Sequence, residues 1–189
     1  MRVSVFGLGY VGAVTSACFA KEGHSVIGVD VDPYKLRLVQ EGRAPIVEAN
    51  LEPFLQEGVR SGRLRVTDST EAAVHESDIS LICVGTPSKE NGDLTTTYLE
   101  RVAEQIGQAL RTKEGYHIVV VRSTVLPGTT EEIVLPILEE ASGKRVNEGF
   151  GLGVNPEFLR EGTAIADFYD PPFTIVGAHR PEDAETIAQ

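Results

Sequence analysis

Short, mainly apolar runs alternate with amphipathic stretches along almost the whole of this chain. The runs fall near residues 2–6, 25–30, 64–67, 79–84, 117–122, 150–154 and 173–177, each long enough for one strand. Between them, segments near 10–22, 32–41, 51–61, 70–76, 97–111, 129–141 and from 181 onward have helical character. In 97–111, Leu99, Val102, Ile106 and Leu110 share one helical face. A strand with no polar face must be covered on both sides, so the alternation predicts a doubly wound α/β fold with a mostly parallel sheet. Thr97-Tyr98-Leu99-Glu100 and Thr129-Thr130-Glu131-Glu132 both read T-x-x-E and predict capping boxes at two helix starts. Gly42, Pro45 and Pro53 interrupt 41–62, where the extra helix is an insertion in the simple alternation. The expected organisation is one domain over 1–180, with 181–189 opening a further helix of something longer.

The first of these units also carries chemistry. Val3–Phe6 runs directly into Gly7-Leu8-Gly9-Tyr10-Val11-Gly12, and a second apolar run, Val26–Val29, ends in Asp30. That is the strand, turn, helix, strand and acid order of a Rossmann-type dinucleotide-binding unit. Gly7 permits the tight turn, Gly9 lets the backbone approach a pyrophosphate, and Gly12 lets the helix lie close to the strands. Free N–H groups at the helix start attract phosphate. Asp30 accepts hydrogen bonds from both hydroxyls of an adenosine ribose and repels a 2′-phosphate, so the expected cofactor is NAD rather than NADP. No arginine adjoins Asp30, and Lys35 is the one nearby cation that softens this preference.

Composition narrows the class. The 189 residues suffice for a substantial core, and 41% apolar content argues against wholesale disorder. A formal charge of −11 argues against nucleic acid or an anionic membrane as partner. No apolar stretch approaches the roughly 20 residues of a bilayer span, and the opening residues lack a leader pattern, so a cytoplasmic protein is expected. The two cysteines, Cys18 in the first helix and Cys83 in an apolar strand, read as packing residues in a reducing compartment. His24, His75, His117 and His179 have no ligand-like spacing; they read as surface or capping groups, and no metal site is inferred.

Ligands of an open parallel sheet sit beyond the carboxyl ends of its strands, near the reversal of strand order. Three more polar clusters fall there: Gly85-Thr86-Pro87-Ser88, Arg122-Ser123-Thr124, and Asn155-Pro156-Glu157-Phe158-Leu159-Arg160-Glu161-Gly162. Thr86 and Thr124 offer small hydroxyls. Glu157 and Glu161 suit a general base and a polar anchor beside a nicotinamide.

GLGYVG, Gly28-Val29-Asp30, VGTPS, RSTVLPGT and NPEFLREGTA together make the chain, from Met1 to about Gly177, resemble the N-terminal domain of the UDP-glucose/GDP-mannose dehydrogenases. Val84 to Leu94, VVVRSTVLPGT and Pro171-Pro172 are most similar to the members acting on GDP-mannose; a UDP-sugar is the alternative, and a stand-alone, non-catalytic NAD module the second. The resemblance implies NAD-dependent, four-electron oxidation of a sugar C6 alcohol to a carboxylate, through a thiohemiacetal and a thioester on a cysteine. It implies that Tyr10, Val11, Asp30, Lys35, Thr86 and Thr124 contact NAD, that Glu157 is the base or water-organising acid, and that Glu161 lines the substrate site. It also implies a homo-oligomeric full-length enzyme. The family's cysteine motif lies downstream of this region, and neither Cys18 nor Cys83 inherits its role.

Overall fold

The computed structural model describes residues 1–88, 92 and 94–189. Lys89, Glu90, Asn91 and Asp93, part of the Val84–Leu94 resemblance, lie outside them. The strands are β1 (Arg2–Phe6), β2 (Ser25–Val29), β3 (Leu64–Thr67), β4 (Ile79–Ile82), β5 (Ile118–Val121), β6 (Gly151–Val154) and β7 (Gly177–Ala178). They form one sheet in the order β3-β2-β1-β4-β5-β6-β7, parallel except for the last pair. This is a Rossmann-type arrangement, with the reversal of strand order between β1 and β4.

The central strands are short and mainly apolar on both faces because helices cover both. Val3, Val5, Leu81 and Val120 face α1 (Tyr10–Lys21) and α3 (Leu51–Arg60), meeting Val14, Ala17 and Leu55. Phe6, Ile27, Ile82 and Val121 face the other way, into α4 (Thr70–Glu76), α5 (Thr97–Thr112) and α6 (Leu135–Ser142). On α5 the buried positions are Leu99, Ala103, Ile106 and Leu110, with Val102 at the margin, the stripe its periodicity predicts. The remaining helices are α2 (Pro33–Gln40), α7 (Ala164–Tyr169) and α8 (Pro181–Ile187). Asp32 caps α2 by accepting from the Tyr34 N–H at 2.9 Å. No helix among the described residues is long and apolar enough to cross a membrane.

Four local expectations are corrected. The strand expected at 173–177 is the two-residue β7, antiparallel to β6; Phe173 and Ile175 are exposed, and Pro171-Pro172 supplies no N–H to a ladder. Helix α7 was not anticipated, being only six residues long. The helix expected at 129–141 opens with a π-helical turn, Thr130–Val134, before α6. Pro136 explains it: a proline has no N–H for the carbonyl four residues back and crowds it, and a widened turn relieves that clash. Neither T-x-x-E forms a capping box. Thr96, not Thr97, precedes α5, its hydroxyl bonding Glu100 at 2.5 Å, and Thr129 already has helical dihedrals.

At the opposite sheet edge from the glycine turn, hydroxyls line up in the interior. Ser77 bonds Ser4 at 3.0 Å, Ser4 bonds Ser80 at 2.7 Å, and Ser80 bonds His117 Nε2 at 2.8 Å. His117 is fully buried, not a surface or capping group, and its Nδ1 has no partner among the described residues. Burial pushes its imidazole from 6.5 down to about 3. Between those values the unfolded chain binds more protons than the folded one, so stability falls as pH falls below 6.5. Urea unfolding at pH 6.5 and 4.5 is expected to show a loss of about 2 kcal/mol that His117→Gln largely removes. An unchanged pH slope in the variant refutes the assignment.

Candidate functional site

The glycine turn leaves β1 with Gly7 at φ +94°, a conformation that side chains resist, and the Gly7 N–H donates to the Val29 carbonyl at 2.8 Å. A Cβ on Gly12 would lie 1.7 Å from the Gly7 carbonyl oxygen. The first turn of α1 therefore rests directly on the turn that precedes it. Gly9 is different: a Cβ there would meet nothing within 4 Å, so the backbone borders open space. Gly9 precedes the helix without a side-chain cap, and the N–H groups of Tyr10, Val11 and Gly12 have no carbonyl beneath them in α1. An open, uncapped helix start fits a pyrophosphate.

Asp30 follows β2 and is buried. Its Oδ2 accepts from the Leu8 N–H at 2.7 Å and its Oδ1 from the Asp32 N–H at 2.9 Å, with the Lys35 ammonium 3.5 Å from Oδ2. The glycine turn and the acid thus form one hydrogen-bonded unit. Lys35 is paired with Asp30 rather than presented as an independent 2′-phosphate ligand.

Beyond β4 and β5 the loops are tied together. Thr86 Oγ1 donates to the Thr124 carbonyl at 2.5 Å, and Ser123 Oγ donates to the Val84 carbonyl at 2.6 Å. The Thr86 oxygen keeps its lone pairs, and the Thr124 side chain is exposed. Beyond β6, residues 155–163 form an irregular loop. Glu157 is half-buried, and its Oε2 accepts from the Leu159 N–H at 2.7 Å, leaving Oε1 without a bond among the described residues. Glu161 is exposed, and its carboxylate has no hydrogen bond among the described residues. Gly7 to Gly12, Asp30, Lys35, Thr86, Thr124, Glu157 and Glu161 all fall along the carboxyl edge of the sheet, flanking the reversal of strand order.

The sequence places Arg122 in an edge cluster but gives it no role of its own, and gives no sign of Glu48. Arg122 ends the apolar run of β5 and is buried, bonded to the Asn155 side chain; Asn155 Nδ2 in turn donates to the Ile175 carbonyl at 2.8 Å. A charge closing a wholly apolar strand was a signal for it. Glu48, in an irregular loop, had none: its carboxylate takes hydrogen bonds from Tyr10, Gly162 and Ala164. Cys18 and Cys83 are buried, and burial pushes both thiols up to about 12. A separate cavity of about 410 Å³ lies on the α1 face, lined by Phe19, Leu81, Val120, Arg122, Phe158 and Phe173; neither Gly9, Asp30 nor Thr86 borders it.

Residues 1–189 match the model of the UDP-glucose/GDP-mannose dehydrogenase family, NAD binding domain. A GDP-mannose 6-dehydrogenase of Pseudomonas putida is 55% identical over 177 residues, 94% of this chain and 40% of the relative. A UDP-glucose 6-dehydrogenase of Haloferax volcanii is 40% identical over 189 residues, all of this chain and 44% of the relative. The crystal structure of a ternary complex of GDP-mannose dehydrogenase from Pseudomonas aeruginosa superposes with a TM-score of 0.97 at 52% identity, covering 99% of this chain and 43% of that one. The chain thus spans about 40% of the length of these relatives.

Proposed function

This chain belongs to the UDP-glucose/GDP-mannose dehydrogenase family, as its NAD-binding domain, and from that premise we propose that it serves a nucleotide-sugar 6-dehydrogenase oxidising GDP-mannose to GDP-mannuronate. The difference between 55% identity to the GDP-mannose enzyme and 40% to the UDP-glucose enzyme carries the choice of sugar nucleotide. The latter substrate is the second reading.

NAD, when bound, accepts hydride from the sugar C6. The uncapped N–H groups of Tyr10, Val11 and Gly12 hold its pyrophosphate, and Asp30 with Lys35 holds a ribose. Thr86 and Thr124 supply hydroxyls along the same edge. Glu157 keeps Oε1 to take a proton from the C6 hydroxyl or from the hydrolytic water, and Glu161 meets the sugar. A cysteine outside these 189 residues captures the aldehyde, because thiols as buried and as weakly acidic as Cys18 and Cys83 supply no thiolate near neutrality. The thiohemiacetal passes the second hydride to a second NAD held by the same residues, and water then releases the thioester as carboxylate and frees the thiol. Residues 1–180 form the cofactor domain and 181–189 lead toward the remainder of the enzyme.

The 189-residue chain is expected to bind NAD without steady NADH production from GDP-mannose. A chain extended to the length of the relatives is expected to release two NADH per sugar, and its Glu157→Gln variant to accumulate a covalent adduct visible by mass spectrometry. Sustained turnover by the short chain, or one NADH per sugar from the long one, refutes the scheme. Preferential turnover of UDP-glucose establishes the second reading.

A further inference from the structure

Three segments far apart in the chain meet at one carboxylate. Glu48 Oε2 accepts from the Tyr10 phenol and from the Gly162 N–H at 2.8 Å, and Oε1 accepts from the Ala164 N–H at 3.0 Å. The Gly162 N–H also reaches the Tyr10 oxygen at 2.9 Å, and the Tyr10 hydroxyl lies 3.2 Å from the Arg160 carbonyl. Tyr10 is the first residue of α1, beside the glycine turn. Gly162 directly follows Glu161, and Ala164 stands three positions after it. On the other side, the Arg160 N–H donates to Asp167 at 2.9 Å and its guanidinium pairs with the same carboxylate at 2.6 Å. The backbone of Glu161 is thus anchored before and after, while its side chain is exposed.

We infer that Glu48 is a positioning residue that couples the cofactor turn to Glu161, holding the sugar-facing acid in a place set by the start of α1. The inference rests on the assignment of NAD to the glycine turn and of the sugar to Glu161. A carboxylate suits the task because three donors converge on it and it has only acceptors. Glutamine keeps one acceptor oxygen and turns an NH₂ toward a donor; alanine keeps none. Burial, helped by Glu48, pushes the Tyr10 phenol up to about 12, so it remains a donor throughout the neutral range. Nothing in the composition or spacing around Glu48 marks it, because all three of its partners come from elsewhere in the chain.

The test is amide hydrogen exchange by NMR on the 189-residue chain, with and without NAD, beside an NAD titration. Glu48→Ala is expected to speed exchange at Gly162 and Ala164 by about 10-fold or more, since each hydrogen bond to a charged group is worth about that factor. Amides of β5 should be unaffected. NAD is expected to slow Gly162 exchange in the wild type and not in the variant, and the variant should bind NAD about 5-fold more weakly, less than one such bond is worth. Glu48→Gln is expected to give intermediate values and serves where Glu48→Ala fails to fold. Faster exchange with unchanged NAD affinity and retained slowing by NAD makes Glu48 a purely structural brace and overturns the coupling. Unchanged exchange without NAD overturns the clamp itself. Wild-type protein that does not bind NAD refutes the cofactor assignment of the turn, and with it the coupling, whatever the exchange rates show.

Discussion

Gly9→Val is expected to abolish NAD binding while leaving the fold intact, and Gly12→Val to prevent folding. The two glycines lie three residues apart in one turn, and the contrast comes from what a side chain would meet. At Gly9 an added Cβ would meet no atom within 4 Å apart from its own chain neighbours, so the added carbon atoms occupy only the space in which a pyrophosphate must approach the N–H groups of α1. Losing two hydrogen bonds to an anion, each worth about 1.5–3 kcal/mol, weakens binding at least about 100-fold. At Gly12 the Cβ would fall 1.7 Å from the Gly7 carbonyl oxygen, a backbone atom that no side-chain rotation can move aside. The helix must then leave the turn, with a cost of about 4 kcal/mol or more. Circular dichroism and calorimetric titration of both variants check the pair. Normal NAD binding by Gly9→Val, or a well-folded Gly12→Val, overturns the reading of this turn.

Asp30→Ala is expected to weaken NAD binding about 10-fold or more, to narrow the preference over NADP, and to lower stability as well. The last effect follows from the structure alone. The Asp30 carboxylate accepts from the Leu8 and Asp32 N–H groups, and Leu8 is fully buried. A buried N–H left without an acceptor costs about 1–3 kcal/mol, which corresponds to a fall in Tm of roughly 2–12 °C for a chain of this size. Asp30→Asn separates the two roles, since its amide oxygen still accepts one N–H while the negative charge is gone. It should keep more of the stability than Asp30→Ala while losing the discrimination against a 2′-phosphate to the same extent. Titration with NAD and NADP beside thermal melts reads both. Wild-type protein that binds NADP as tightly as NAD defeats the argument from charge. Unchanged stability of Asp30→Ala defeats the argument from hydrogen bonding.

The parts of this protein legible in its sequence are those whose physics is complete within a few residues. Val3–Phe6, Ile79–Ile82 and Ile118–Val121 declare themselves as strands covered on both faces because no charged side chain interrupts them and only the small Ser4 and Ser80 break the apolar runs. Leu99, Ile106 and Leu110 declare a helix against that sheet by spacing alone. The glycine turn and Asp30 are legible for the same reason: a βαβ unit brings the end of its second strand back beside the end of its first, so a fixed spacing becomes a fixed contact. Where that closure fails, the sequence is silent or misleading. The T-x-x-E patterns at Thr97 and Thr129 meet the local rule, yet the helices begin elsewhere because packing and Pro136 set the turns. Helix α7 and the two-residue β7 depend on supports such as Glu48 and β6, which no window of neighbouring residues contains. Sequence by itself determined the layers, the six parallel strands and the nucleotide turn, since those follow from side-chain periodicity and backbone sterics. Only the tertiary structure decided that His117 is buried, that Arg122 closes on Asn155, and that Glu48 joins Tyr10 to the loop carrying Glu161, because a hydrogen bond between residues 33 to 114 positions apart leaves no local trace.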